Sequence, residues 1–162
     1  MTLIIIEDGS QVANANSFVT DAEYTTYSTA RGLTVGATVS DREQELIKAV
    51  DYLQSVENSL QGYRSSSTQE LIYPRYGVTL YGYVLASDKI PKELKNAQME
   101  AAAYATSGVL LTNTSNNNIK SEQVASLKTE YFNGSNTETL VLKRVNAQLR
   151  PLLQDADTLV RT

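Results

Sequence analysis

Cysteine, histidine and tryptophan are absent from the 162 residues, and only three prolines and two phenylalanines occur. Without cysteine there is no disulfide framework, no thiolate nucleophile and no cysteine-based zinc site. Without histidine the commonest general base and the commonest transition-metal ligand are gone. Stability then rests on packing and association. Long apolar runs are missing too. The strongest, Leu3 to Ile6, is far too short for a signal-peptide core or a membrane span, and no basic segment follows Met1. A soluble protein of a cytoplasm-like compartment is expected.

What remains is a chain that is 41% hydrophobic and contains ten tyrosines. Its length fits one domain with an extended appendage, and such a domain buries roughly 70% of its unfolded surface. Tyrosine has an apolar ring and a polar tip, which suits half-buried surfaces, subunit interfaces included. It equally suits capping a core with the hydroxyl in water. The net charge of −4 is uneven: residues 1–62 hold nine acids and three bases, the remainder nine acids and eleven bases. No basic run exceeds Lys143-Arg144. Tight wrapping of nucleic acid needs clustered cations, so nucleic-acid affinity is not expected.

The element pattern is mainly α. Met1 to Glu7 reads as an extended segment ended by Asp8-Gly9. Thr20-Asp21-Ala22-Glu23 fits a capping box opening a helix to about Ala30, stopped by Arg31-Gly32. Ser40-Asp41-Arg42-Glu43 reads as a second box, and Leu46, Ile47, Val50, Leu53 and Val56 fall on one helical stripe running to about Ser59. Residues 63–89 are loop-rich but aromatic, which predicts a packed segment, with a turn at Tyr73-Pro74-Arg75-Tyr76-Gly77. Pro91 takes the first position of a third helix. Its small-residue stripe, Leu94, Ala97, Ala101, Tyr104 and Ala105, permits close approach to the second. Beyond a polar break at 113–118, residues 119–131 alternate as a strand. Asn133-Gly134 predicts a hairpin returning through Thr137–Leu142, and a short helix spans Val145–Leu153. The expected architecture is a small helical bundle over 1–118, a strand-like arm over 119–144, and a C-terminal helix and tail over 145–162.

No active site is legible. Serines and threonines lack an imidazole to activate them. Glu43/Glu45 and Asp155/Asp157 read as helix-start and tail features rather than a catalytic dyad. Asn113 to Asn118 has amides but not the carboxylates of a calcium loop, and phosphate-binding glycine patterns are missing. No catalytic residue, metal ligand or cofactor site is expected, and the chain reads as a non-catalytic protein.

Several pieces form an ordered series. They are Asn16-Ser17-Phe18-Val19 with Ala22-Glu23-Tyr24; Glu45–Ala49 with Asp51-Tyr52-Leu53; Gly62-Tyr63-Arg64 with Gln69, Leu71, Tyr73-Pro74-Arg75 and Gly77-Val78; Ile90-Pro91, Leu94-Lys95, Ala97 and Glu100-Ala101; and Lys120-Ser121-Glu122, Val124 and Tyr131. Together they resemble a phage protein family catalogued as DnaT-like single-stranded-DNA-binding. Members of that family and of related ones serve as head-completion or head-to-tail adaptor proteins. Tyr73 stands where that family commonly has tryptophan.

The resemblance implies a virion structural protein in the neck of a tailed phage, made in the host cytoplasm. About a dozen copies would form a ring joining the portal protein to a tail or stopper protein. DNA would pass through the channel without specific binding, past acids of residues 1–62 that let it slide. Neither a cofactor nor a membrane is implied. Single-stranded-DNA binding is the alternative, and it requires aromatic platforms beside a basic groove. Asp51 is expected to pair with Arg64 or Arg75 and pin the 63–89 loop against the second helix, with Pro74 and Gly77 fixing the turn and Tyr73 at a core aromatic position. Leu149, Pro151, Leu152 and Leu153 are the candidate portal or tail contact.

Overall fold

A computed structural model describes residues 3–108, 110, 121–124, 127–130 and 136–154. The chain is mainly helical, with α1 (Asp21–Arg31), α2 (Val39–Ser55), α3 (Lys92–Ala105) and α4 (Asn136–Leu149). Short strands pair as β1 (Tyr63–Arg64) with β2 (Arg75–Tyr76), β3 (Thr79–Leu80) with β4 (Tyr83–Val84), and β5 (Ser121–Val124) with β6 (Leu127–Glu130), all antiparallel. Turns of 3-10 helix follow α2 at Glu57–Ser59 and α4 at Arg150–Leu152.

The central element is α3, packed against both α2 and α4 and touching α1. Leu94, Ala97, Ala101 and Ala102 of α3 and Leu46, Ala49, Val50 and Leu53 of α2 are buried at helical spacing. Alanines at the contact bring α2 and α3 close enough for Gln98, wholly buried, to span three segments. Its amide donates to Ser17 Oγ at 2.8 Å and to the Leu46 carbonyl at 3.2 Å, and its oxygen accepts from Phe18 N at 3.0 Å.

Local chemistry sets the helix ends. Thr20 caps α1 in the expected box, with Thr20 Oγ1 accepting from Glu23 N and Glu23 returning a bond to Thr20 N. Gly32, at φ 62°, closes it in the left-handed conformation. The box of α2 is not at Ser40. Thr38 caps it, and Asp41 answers, because threonine three residues before aspartate supplies the same reciprocal bonds one half-turn earlier. That start lets Arg42 reach back to Asp21 at 2.6 Å. Pro91 is the N-cap of α3 rather than its first residue, and its carbonyl accepts from Leu94 and Lys95.

The arm differs from expectation. Val124 pairs with Leu127 in an antiparallel β5–β6 pair, and the expected turn at Asn133-Gly134 lies outside the described residues. Thr137–Leu142 is no returning strand; it opens α4. The turn dipeptide Asn133-Gly134 predicts a returning strand there, but no breaker separates Thr137–Leu142 from the helix beyond. Leu142, Val145 and Leu149 continue at helical spacing. The C-terminal helix therefore starts near residue 136 rather than at Val145 and ends before Pro151, whose segment tightens to 3-10.

Candidate interaction face

The 57–84 segment is built around one carboxylate. Glu57, in the turn after α2, receives Arg64 bidentately, Nε and Nη2 each at 2.7 Å. Arg75 Nη1 reaches the same carboxylate at 3.2 Å. The Arg75 guanidinium, 5% exposed, also donates to the carbonyls of Gln61, Gly62 and Ile72. Hydrogen bonding from Arg64, and the positive charges of both arginines, hold the Glu57 carboxyl below its ordinary range. The expected partner, Asp51, plays no part in this. It lies exposed on α2, outside every described ion pair. Glu57 sits past the helix end, where the chain turns back toward β1, so it alone faces both arginines.

Around this network Leu71, Ile72, Tyr73, Pro74 and Val78 are buried. The Tyr73–Pro74 peptide bond is cis. Gly62 has φ 68°, and a Cβ there would lie 2.1 Å from the Tyr76 carbonyl oxygen, so this crossing of β1 by β2 requires glycine. Gly77, at φ 75°, is exposed and turns the chain toward β3. The Tyr73 hydroxyl has no hydrogen-bond partner among the described residues, and burial pushes it up to about 12. A buried unmatched hydroxyl costs about 1–3 kcal/mol. Tyr73→Phe is therefore expected to raise stability by about 1 kcal/mol, read from the urea midpoint. A loss of stability would show the hydroxyl to be matched.

Packing stops at the outer surface. Tyr63, Tyr76, Tyr81, Tyr83 and Val84 are 51–80% exposed, five of the six large apolar side chains exposed to that degree among the described residues. Tyr63 and Tyr76 are cross-strand partners with ring centroids 5.6 Å apart. Tyr81 and Gly82 both have positive φ, 52° and 86°, in the two-residue turn between β3 and β4. Asparagine or glycine suits such a turn, whereas a bulky side chain there is strained by about 1–2 kcal/mol. The strained residue projects an exposed ring whose hydroxyl donates to Glu93 at 3.0 Å. Sequence reasoning placed the aromatic segment inside and missed this face. The signal was Tyr81-Gly82-Tyr83, a hairpin turn flanked by rings with too little backbone to bury them.

The candidate C-terminal contact is buried in this chain's own core. Leu149 and Leu152 are 1% and 0% exposed, and Pro151 and Leu153 are half-buried. Leu153 bridges antiparallel to Leu60, Gln61 N donates to the Leu152 carbonyl, and Gln154 N donates to that of Ser59, both at 2.9 Å. The Gln61 side chain adds bonds to the Pro151 and Leu153 carbonyls. These bonds clamp residues 152–154 to the Ser59–Gln61 stretch, so Leu149 and Leu152 serve this chain's own core. Their spacing carried the burial signal; at Leu149 and Leu152 it continues the α4 stripe from Val145.

Among the described residues no group of three or more carboxylates is placed to hold a metal ion, and no helix is long and apolar enough to cross a membrane. One family model, described as "Putative DnaT-like ssDNA binding protein", matches residues 1–162. Neither the curated proteins nor the solved structures contain a match.

Proposed function

The chain belongs to that DnaT-like family over its whole length, and from this premise we propose a non-catalytic structural subunit whose tyrosine hairpins dock on protein. The observation that carries the proposal is a face of exposed rings, Tyr63, Tyr76, Tyr81 and Tyr83, on a segment whose arginines, Arg64 and Arg75, are tied to Glu57. Exposed tyrosines of this kind match the core of a protein interface, which is rich in that residue. The finer form is a ring of head-to-tail adaptor subunits in a phage neck, joining portal to tail and lengthening the DNA exit channel. There one face of each copy meets a different face of the next.

A second reading, single-stranded-DNA binding, has the family description behind it, and that description supports it more directly than it supports an adaptor. Tyr63 and Tyr76 would be its stacking platform. Sedimentation velocity, and electron microscopy with and without portal, tests the first. Assembly, or added density beneath the portal, is expected; a persistent monomer that adds no density overturns it. Tyr81→Asn is expected to relieve the turn, stabilising the monomer by about 1 kcal/mol, while weakening assembly. Unchanged assembly would remove Tyr81 from the interface.

A further inference from the structure

The segment from Leu3 to Glu7 carries an unfinished strand edge. It runs beside Asn16 and Ser17, and its main-chain bonds among the described residues belong to Leu3, Ile5 and Glu7. Leu3 N donates to the Glu43 carboxylate at 2.7 Å. The Asn16 side chain stands in for a neighbouring strand: its oxygen accepts from Ile5 N at 2.7 Å, and its Nδ2 donates to the Leu3 carbonyl at 3.0 Å. Asn16 N and Ser17 N donate to the Ile5 carbonyl, and Glu7 N donates to that of Ser17. Successive residues of an antiparallel-paired strand turn their N–H and C=O groups to opposite sides. The groups of Ile4 and Ile6 therefore form the other edge, and no hydrogen bond among the described residues uses them. Main-chain groups left so are costly to bury, which places this edge in water.

We propose that Leu3–Ile6 pairs with the same segment of a second copy, antiparallel about a twofold axis at Ile5. Ile4 of each copy exchanges both N–H···O bonds with Ile6 of its partner, two bonds at each of two places. The two Ile5 residues then meet as the close, non-hydrogen-bonded pair between them. The free groups select this occupant. Two residues, one apart, each offer a donor and an acceptor, so the edge is its own complement in one register. Nothing guards it. Leu3-Ile4-Ile5-Ile6 has no charge, proline or glycine, the usual defences of an exposed edge. Glu7, the nearest charge, turns its carboxylate into its own loop, accepting from Gly9, Gln11 and Val12 N at 2.8–2.9 Å. Leu3 and Ile5 are 38% and 43% exposed and would be covered by the pairing. Four residues a side make less than a standard interface, so the dimer is weak and concentration-dependent. The contact is isologous and closes at two copies. It goes beyond the docking role of the hairpins and uses none of their residues.

The chain has no cysteine, so Ile5→Cys supplies a single thiol. At the twofold the two Cα atoms would stand about 4.5 Å apart, within disulfide reach. Under oxidised glutathione, Ile5→Cys is expected to become a covalent dimer, whereas Leu3→Cys, which would face Glu7 of the partner, stays monomeric on a non-reducing gel. Amide exchange reads the edge itself. The Ile4 and Ile6 amides should slow about tenfold at a concentration that pairs about nine-tenths of the chains. Those of Leu3 and Ile5, already bonded, should not change. Ile5→Lys should abolish the concentration dependence with native circular dichroism, because its main-chain bonds remain. All three measurements are repeated with Tyr81→Asn added, which should leave them unchanged, so failure of the hairpin interface and failure of this edge are separable.

Ile4 and Ile6 amides as slow in dilute solution as that of Ile5 would mean the edge is covered within the chain, and would overturn the proposal. Exchange that never responds to concentration overturns it too. Equal crosslinking of Leu3→Cys and Ile5→Cys rules out the register. Protection lost through Tyr81→Asn alone gives the edge to the hairpin of a second copy and overturns self-pairing.

Discussion

A chain truncated after Asn146 is expected not to fold. The cut removes Leu149 and Leu152, both buried against the core, and every bond between residues 152–154 and the Ser59–Gln61 stretch. Losing one buried leucine side chain costs about 2–5 kcal/mol, and two approach the whole 5–15 kcal/mol stability of a typical domain. Leu60, wholly buried under the clamp, would also be uncovered. Circular dichroism and urea titration of the truncated chain should show no cooperative transition. Leu152→Ala should keep one, with stability lowered by about 2–5 kcal/mol. A cooperatively folded truncation would mean the clamp is dispensable, and would return these leucines to an external partner.

The same clamp shows where sequence reasoning reached and where it stopped. Helical stripes in α2 and α3 were legible because periodicity is local: Leu46, Val50 and Leu53, or Leu94, Ala97 and Ala101, declare a face without reference to anything distant. The Thr20 box and Gly32 stop were legible for the same reason. The pairing of Leu60 with Leu153 was not, because a single bridge across more than ninety residues leaves no periodic trace. The partner of the two arginines turns on the same distinction. Asp51 is an acid of the same ordered series, but which acid faces Arg64 and Arg75 depends on which way α2 ends. Glu57 takes both arginines because the helix breaks at Val56 and turns the chain inward.

Glu57→Gln should cost about 3 kcal/mol at neutral pH, near the lower end for breaking a buried pair. The lower end applies because Glu57 is about a quarter exposed, at 27%, and because Arg75 keeps its carbonyl acceptors. Arg75 remains 5% exposed with its charge uncompensated, and the cost arises chiefly there. The pH dependence has a fixed sign. The folded-state carboxyl is held below the ordinary value of 4.5. Its stabilisation is thus complete above that value and is lost as pH falls through the lower folded-state one. Other acids whose folded-state values are also lowered, such as Glu23 and Asp41, destabilise wild type and variant alike on acidification. The difference between the two proteins therefore isolates Glu57. Urea midpoints taken at neutral pH and again well below 4 should show the variant weaker at the first and nearly equal at the second. A gap that persists into acid would mean that the glutamate acts through packing rather than charge. A gap absent at neutral pH would mean that the carbonyls alone hold Arg75, and that the hairpin bearing Tyr63 and Tyr76 stands without its ion pair.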